Sequence, residues 1–254
     1  MLLAVDIGNT NLVVGVLDQG EIRFFERVST DLSKTALEYA LCFKNILELH
    51  SLSSAEIDGA IIASVVPPLT SLITEALGKI CSCRVRTVGP GLKNGLKIHM
   101  DDPAQIGADL IVGAVAGIHD YTCPLIIIDM GTATTISVID DRKTYSGGMI
   151  LPGLRVSLDS LTSRTSKLPR IGLDPPKQLI GKNTIDCMKS GILYGTASML
   201  DGMIERIEDE LGMKSTIIAT GGLASTVVSL MKNDVILDDD LLLRGLYYIY
   251  EKNK

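Results

Sequence analysis

Tryptophan is absent, and three phenylalanines and seven tyrosines supply every aromatic ring. A core made from this chain must therefore be aliphatic. Cysteine is sparse and irregular: Cys42, Cys81, Cys83, Cys123 and Cys187, with Cys81-Ser82-Cys83 the only close pair. No CxxC pair or histidine cluster completes a metal framework, so reduced, mostly buried thiols are expected. No apolar run reaches the roughly 18 residues that a membrane span needs. Nor does any block of Lys or Arg stand out, and a net charge of −6 lacks the electrostatic footprint of a nucleic-acid binder. Neither a membrane nor a nucleic acid is expected as a partner. A local basic pocket for an anionic ligand is compatible with that charge. GxxxxGK[ST] is missing, which excludes the Walker route to phosphates. A GxGxxG after a strand is missing too, which argues against a dinucleotide oxidoreductase.

What is present is apolar and glycine-rich: 46% hydrophobic residues, 21% charged residues and 24 glycines in 254 positions. That is enough for one large domain or two ordinary ones with a substantial core. Met1-Leu2-Leu3-Ala4-Val5-Asp6 reads as a strand, with neither a basic leader nor a cleavage site, so a cytoplasmic protein is expected.

Along the chain, one pattern occurs twice. Residues 2–6 form an apolar run ending in Asp6, Gly8-Asn9-Thr10-Asn11 forms a turn, and strands over 12–17 and 21–28 follow. A helix is expected over 35–49, a strand over 59–65, a helix from Pro68 to about 80, and a short strand over 84–88. Residues 89–102 read as a loop, and Pro103 opens a helix to about 118. The opening pattern then returns. Residues 125–129 end in Asp129, Gly131-Thr132-Ala133-Thr134-Thr135 forms the turn, and strands over 136–139 and 143–150 follow. Helices over 154–165 and 180–211, strands over 216–219 and near 235–236, and a helix over 241–250 complete the chain. An internal duplication is a stronger fold clue than any single motif. The expected fold is α/β, with two similar domains, 1–120 and 121–254.

A strand ending in Asp and followed by a Gly/Thr hairpin suits phosphate. Glycine removes the Cβ from the path of backbone N–H groups, and Asn and Thr add donors. The carboxylate repels phosphate but can hold Mg²⁺ or its waters. A single DxGxT turn is an ordinary hairpin; two at the same point of a repeated topology favour phosphate binding. Thr220-Gly221-Gly222 would let a flat base or ribose lie against backbone. In Gly147-Gly148-Met149-Ile150-Leu151-Pro152-Gly153, the final Pro-Gly exposes a helix N-terminus that favours an anion. Asp109 lies within the apolar stretch 106–115 and is either a polar-face residue or a catalytic carboxylate.

These residues resemble the type III pantothenate kinases, of the acetate and sugar kinase/Hsp70/actin superfamily, over nearly the whole chain. Asp6-Ile7-Gly8-Asn9-Thr10 is similar to the family's first phosphate motif, and Asp129-Met130-Gly131-Thr132-Ala133-Thr134 to its second. Ser64-Val65-Val66-Pro67, Gly95-Leu96-Lys97-Ile98, Pro103 through Asp109, Gly147 through Gly153, Leu168-Pro169, Gly181-Lys182-Asn183-Thr184 and Thr220-Gly221-Gly222 resemble further family segments. The resemblance implies that the two α/β domains are duplicated actin/ribonuclease-H-like domains with a nucleotide cleft between them, and that the chain carries out ATP-dependent phosphorylation of pantothenate on its primary hydroxyl. ATP would be held by Asp6, Gly8, Asn9, Thr10, Asn11, Gly131, Thr132, Ala133, Thr134, Gly221 and Gly222. Pantothenate would meet Gly107, Ala108, Asp109 and Thr184, with Asp109 as the base. It implies Mg²⁺ at Asp6, directly or through water, and a monovalent cation (K⁺ or NH₄⁺) at Asp129. It also implies a homodimer in which Thr184 reaches the partner's pantothenate.

One position departs from the family pattern, which reads Gly-Ala-Asp-Arg. Here Leu110 follows Asp109, and a leucine supplies neither charge nor donors. A catalytically weakened, ligand-binding regulatory relative is therefore one alternative, and a kinase for another small hydroxy acid is a second.

Overall fold

Leu2–Ile7 (β1) is apolar on both faces, the composition of a central strand. It pairs antiparallel with Asn11–Asp18 (β2), and β2 pairs antiparallel with Glu21–Ser29 (β3). On its other side β1 pairs parallel with Gly59–Ser64 (β4), which pairs parallel with Val85–Thr87 (β5). The first sheet thus runs β3-β2-β1-β4-β5 in the computed structural model, which describes all 254 residues.

Ala36–Leu49 (α1) and Pro67–Ile80 (α2) cover one face of this sheet. Thr35 starts α1 with a reciprocal cap: Glu38 N–H donates to Thr35 Oγ1 at 3.3 Å, and Thr35 N–H donates to Glu38 Oε2 at 2.7 Å. The period of two along β1 then sorts its side chains. Leu3, Val5 and Ile7 join Tyr39, Phe43, Leu69 and Ile73 in one core. Leu2 and Ala4 face the other side, with Val112 of Ala108–Asp120 (α3). Each fully buried Leu or Ile contributes roughly 1.5–3 kcal/mol, so the core is aliphatic and sufficient without tryptophan.

The second sheet consists of Lys97–Ile98 (β6), Leu125–Met130 (β7), Ala133–Ile139 (β8), Thr144–Pro152 (β9), Thr216–Thr220 (β10) and Ile236–Leu237 (β11), in the order β11-β10-β7-β8-β9-β6. The run β9-β8-β7-β10-β11 repeats the order and the strand directions of the first sheet; β6 is an added edge strand, parallel to β9. Leu154–Ser163 (α4), Thr184–Leu211 (α5) and the short Ala224–Val228 (α6) pack on it, with Leu193, Leu200 and Ile204 meeting Ile126 and Ile128. This is the duplicated actin/ribonuclease-H-like α/β arrangement. No helix is long and apolar enough to cross a membrane.

The chain divides into one unit of 1–96, 101–119 and 240–254 and another of 97–100 and 120–239. A single cut at residue 120 therefore does not describe it. The last helix, Leu241–Glu251 (α7), buries Leu243, Leu246 and Ile249 with Leu2 and Ala4, so residues 240–254 belong with the first sheet. A Cβ on Gly245 would lie 2.1 Å from the Val112 carbonyl oxygen, so α7 meets α3 backbone to side-chainless backbone. The expected helix over 103–118 is two pieces. Asp102 caps a single 3₁₀ turn over Pro103–Gln105, accepting from the Ala104 N–H at 3.1 Å, and α3 begins only after Gly107. The long helix starts at Thr184 rather than 180, because Asn183 accepts from the Asp186 N–H at 2.9 Å as its cap.

Candidate active site

In the first unit, Asp6 is the only half-buried residue of β1. It shares its side of the sheet with Leu2 and Ala4. The turn after it closes on Gly8, whose N–H donates to the Asn11 carbonyl at 3.0 Å. Thr30, beyond the end of β3, braces the turn from outside: its Oγ1 donates to the Gly8 carbonyl at 2.6 Å and its N–H to the Thr10 carbonyl at 2.9 Å. Asn9, Thr10 and Asn11 are left at the surface. The Gly8 N–H is thus spent inside the turn. The glycine contributes shape, and donors for an anion must come from the residues after it.

The hairpin of the second unit is built alike. Asp129 is the only half-buried residue of β7, and the Gly131 N–H donates to the Ala133 carbonyl at 3.0 Å. Gly131 and Thr132 are exposed, and Ala133 is half-buried. Two other glycines close on this hairpin. A Cβ on Gly153, just before α4, would lie 2.3 Å from the Thr132 carbonyl oxygen and 2.6 Å from that of Gly131. A Cβ on Gly221 would lie 2.7 Å from Asp129 Oδ1, and Gly221 has φ +99°, a left-handed conformation that glycine tolerates. The two glycine motifs read separately in the sequence therefore meet at one hairpin, which no spacing in the chain announced. Gly222 is exposed beside it. Thr134 differs from the other expected phosphate ligands. It is 0% exposed, and its hydroxyl is buried without a hydrogen-bond partner.

Asp109 sits in the first turn of α3, half-buried beside Gly107, Ala108 and Leu110. Its Oδ1 accepts the Leu110 N–H at 2.8 Å, and a Cβ on Gly107 would stand 2.3 Å from that oxygen. Only glycine at 107 lets the carboxylate fold back in this way. Burial pushes the Asp109 pKa above the usual carboxylate range, against the smaller opposing pull of the Leu110 N–H. The absent Gly107 Cβ would also lie 3.7 Å from Val65 Cγ1, and the Val65 N–H donates to the Ile7 carbonyl at 3.1 Å. The Ser64–Pro67 segment thus runs from the strand end that carries Asp6 to the side of Gly107. Thr70 Oγ1 steadies it by donating to Ser64 Oγ at 2.8 Å.

Thr184 lies in the other unit. It lines a cavity of about 760 Å³ with Gly181, Lys182, Asn183, Cys187 and Met188, at the start of α5. Gly181 is obligatory there, since a Cβ would lie 2.4 Å from the Cys187 nitrogen.

No group of three or more His, Cys, Asp or Glu side chains is arranged to hold a metal ion. Asp6 and Asp129 each offer one carboxylate at a strand end, and one or two carboxylates beside a nucleotide are the donors that Mg²⁺ takes.

The family model for type III pantothenate kinase matches residues 2–206. A type III pantothenate kinase of Bacillus cytotoxicus is 44% identical over 253 residues, covering 100% of this chain and 97% of that protein. Among solved structures, the activator of 2-hydroxyisocaproyl-CoA dehydratase from Clostridium difficile, with bound ADPNP, has a TM-score of 0.57 at 13% identity, covering 99% of this chain and 95% of that one. Component A of (R)-2-hydroxyglutaryl-CoA dehydratase from Acidaminococcus fermentans has a TM-score of 0.56 at 15% identity, covering 100% and 99%. At such identities these two structures share the fold alone.

Proposed function

The chain belongs to the type III pantothenate kinase family, and on that premise we propose that it transfers the γ-phosphoryl group of ATP to the primary hydroxyl of pantothenate, the first step of coenzyme A biosynthesis. The observation that carries the catalytic assignment is the half-buried carboxylate of Asp109 at the start of α3, beside Gly107, which lies next to the Val65 that bonds the strand end bearing Asp6. Phosphoryl transfer asks little covalent chemistry of a protein; it asks for positioning, charge stabilisation and a group that orients the hydroxyl and accepts its proton. Asp109 is that base, and its raised pKa brings it nearer the working pH, where general bases are most effective.

Asn9, Thr10 and Asn11 on one hairpin and Thr132 and Ala133 on the other hold the phosphates, on turns shaped by Gly8 and Gly131. Thr134 lies beneath the second hairpin, and its unpartnered hydroxyl supports a ligand-dependent adjustment there. Gly221 and Gly222 give the base and ribose a flat backbone surface. Gly107, Ala108 and Asp109 receive pantothenate, and Thr184 reaches that of a partner subunit in a homodimer. Exposed Ile150, Leu179, Ile180 and Ile185, all in the unit that holds Thr184, support such a dimer, since water disfavours them. Asp6 would hold Mg²⁺ or its waters, and Asp129 a monovalent cation, K⁺ or NH₄⁺. Bound with ATP, these cations offset the charge on the phosphate oxygens. The reaction belongs in the cytoplasm.

The test is a coupled assay of ATP consumption with Mg²⁺ and K⁺, with and without pantothenate. Turnover that requires pantothenate and yields the phosphorylated product is expected. ATP hydrolysis indifferent to pantothenate, or faster turnover of another small hydroxy acid, overturns the substrate assignment.

A further inference from the structure

Asp201 lies in the middle of α5, on its buried side, and is 9% exposed. Ala197, Leu200 and Ile204 around it are core residues. A carboxylate in such a place is costly unless its oxygens are filled. Here the chain after α6 fills them. The Lys232 N–H lies 3.1 Å from Oδ1 and 3.0 Å from Oδ2. The Asn233 N–H reaches Oδ1 at 3.1 Å and its side-chain amide reaches the same oxygen at 2.8 Å.

The gripped segment begins at the Gly221-Gly222 turn. Its helix, α6, has five residues, too few to be stable alone. Ala224 and Val227, both 0% exposed, pack it into the core. The segment starts where Gly221 closes on Asp129, and Asp201 holds it at residues 232–233, beyond the end of α6. Hydrogen bonds to an ionised acceptor are about twice as strong as neutral ones. The carboxylate anchor therefore holds the segment more firmly than the same bonds to a neutral acceptor would.

We infer that Asp201 is a positioning residue for the nucleotide: by holding the chain at Lys232 and Asn233, just beyond α6, it fixes the Gly221-Gly222 turn against the base and ribose. The inference rests on the assignment of that turn to the nucleotide made above. Asp201→Ala removes the anchor, Asp201→Asn keeps its volume but turns an amide donor toward the backbone donors, and Asp201→Glu keeps an acceptor pair. In the full-length protein, Asp201→Ala and Asp201→Asn should raise KM for ATP and Kd for ADPNP about tenfold or more, the scale of one lost charged hydrogen bond. KM for pantothenate should stay within about twofold, and Asp201→Glu should recover part of the loss. In the wild type, amides of residues 222–233 should gain protection from hydrogen exchange when ADPNP binds. Unchanged nucleotide constants in a folded variant overturn the inference, as does an equal rise in both KM values. No added protection over 222–233 overturns it without any variant. If the wild type binds ADPNP but does not phosphorylate pantothenate, the substrate assignment fails while the ADPNP arm still decides the role of Asp201.

Discussion

The two sheets share one strand order, yet their central hairpins are held by different means. In the first unit one threonine does the bracing: Thr30 bonds to the Gly8 carbonyl through its Oγ1 and to the Thr10 carbonyl through its backbone N–H, and Asn9, Thr10 and Asn11 remain exposed. In the second unit backbone does it. Gly153 and Gly221 approach so closely that a Cβ on either would overlap the hairpin or Asp129. The first unit also holds the half-buried carboxylate Asp109 at the start of α3. One repeated frame thus carries a candidate base in the first unit and a hairpin closed by glycine backbone in the second.

Asp109→Asn tests the chemical side of that contrast most severely. It should lower kcat by at least about 10²-fold, the usual scale of a general base, and leave Kd for ADPNP nearly unchanged. Full turnover in the folded variant would make Asp109 a structural carboxylate and erase the difference between the units. The backbone side is tested by three alanines. Gly153→Ala and Gly221→Ala should each cost about 2 kcal/mol or more through overpacking, a Tm drop on the order of 4–8 °C. Gly8→Ala should cost less, because its Cβ would meet one carbonyl oxygen at 3.0 Å and its φ is not positive. Equal Tm losses at all three positions would show that the hairpins are braced alike.

The sequence announced the duplication because strand-Asp-Gly-Thr patterns are local, and turn chemistry is local too. Asp6, Gly8, Asp129 and Gly131 were legible for that reason. The meeting of Gly153 and Gly221 at one hairpin was not, since glycine marks a close approach without saying to what. Lys97–Ile98 read as loop because an edge strand of two residues carries no periodicity. The return of α7 to the first sheet was equally hidden: its Leu and Tyr pattern shows a buried face, but nothing in it says which sheet that face meets. Gly107 fell inside the helix expected from Pro103 and, by resemblance, in the pantothenate pocket. Its reason, room for the Asp109 carboxylate, lies in side-chain packing.

The units also contain carboxylates of opposite electrostatic sense, which pH separates. Burial raises the pKa of Asp109 in the fold, so its ionised form destabilises the protein above that pKa, and the penalty disappears as pH falls. Asp109→Asn should therefore raise Tm at pH 8, by an amount that shrinks toward zero as the wild-type group protonates. Glu208, in the second unit, behaves in reverse. Burial alone would raise its pKa, but Lys214 Nζ at 2.6 Å and the Ser215 N–H at 2.9 Å outweigh it and hold the pKa below the usual range. Its stabilisation is present above the unfolded-state pKa and is lost as pH falls through the folded one. Glu208→Gln should cost about 1.5 kcal/mol at neutral pH, or about 3–6 °C in Tm, and progressively less in acid. Tm against pH for both variants checks the two signs, and parallel curves would contradict the contrast.

Leu110 offers the smallest and sharpest test, because it departs from the family pattern beside the most consequential residue. It is half-buried, and its N–H holds Asp109 Oδ1 at 2.8 Å. That backbone bond survives any side chain, so Leu110→Arg should leave the carboxylate where it is. An arginine there can extend its stem along the apolar surface and carry its charged head outward. Pantothenate bears a carboxylate, which a guanidinium can meet with two charge-assisted bonds. KM for pantothenate should then fall by about tenfold, the value of one net charged hydrogen bond. The same positive charge pulls the Asp109 pKa back toward its ordinary value, near 3.9, and so weakens the base slightly. The expected signature is a lower KM for pantothenate with kcat flat or reduced, and KM for ATP unchanged. A rise in kcat with KM constant would mean that the arginine stabilises the transition state rather than the bound acid. A fall in kcat/KM without loss of fold would mean that the pocket is built around the apolar wall of Leu110.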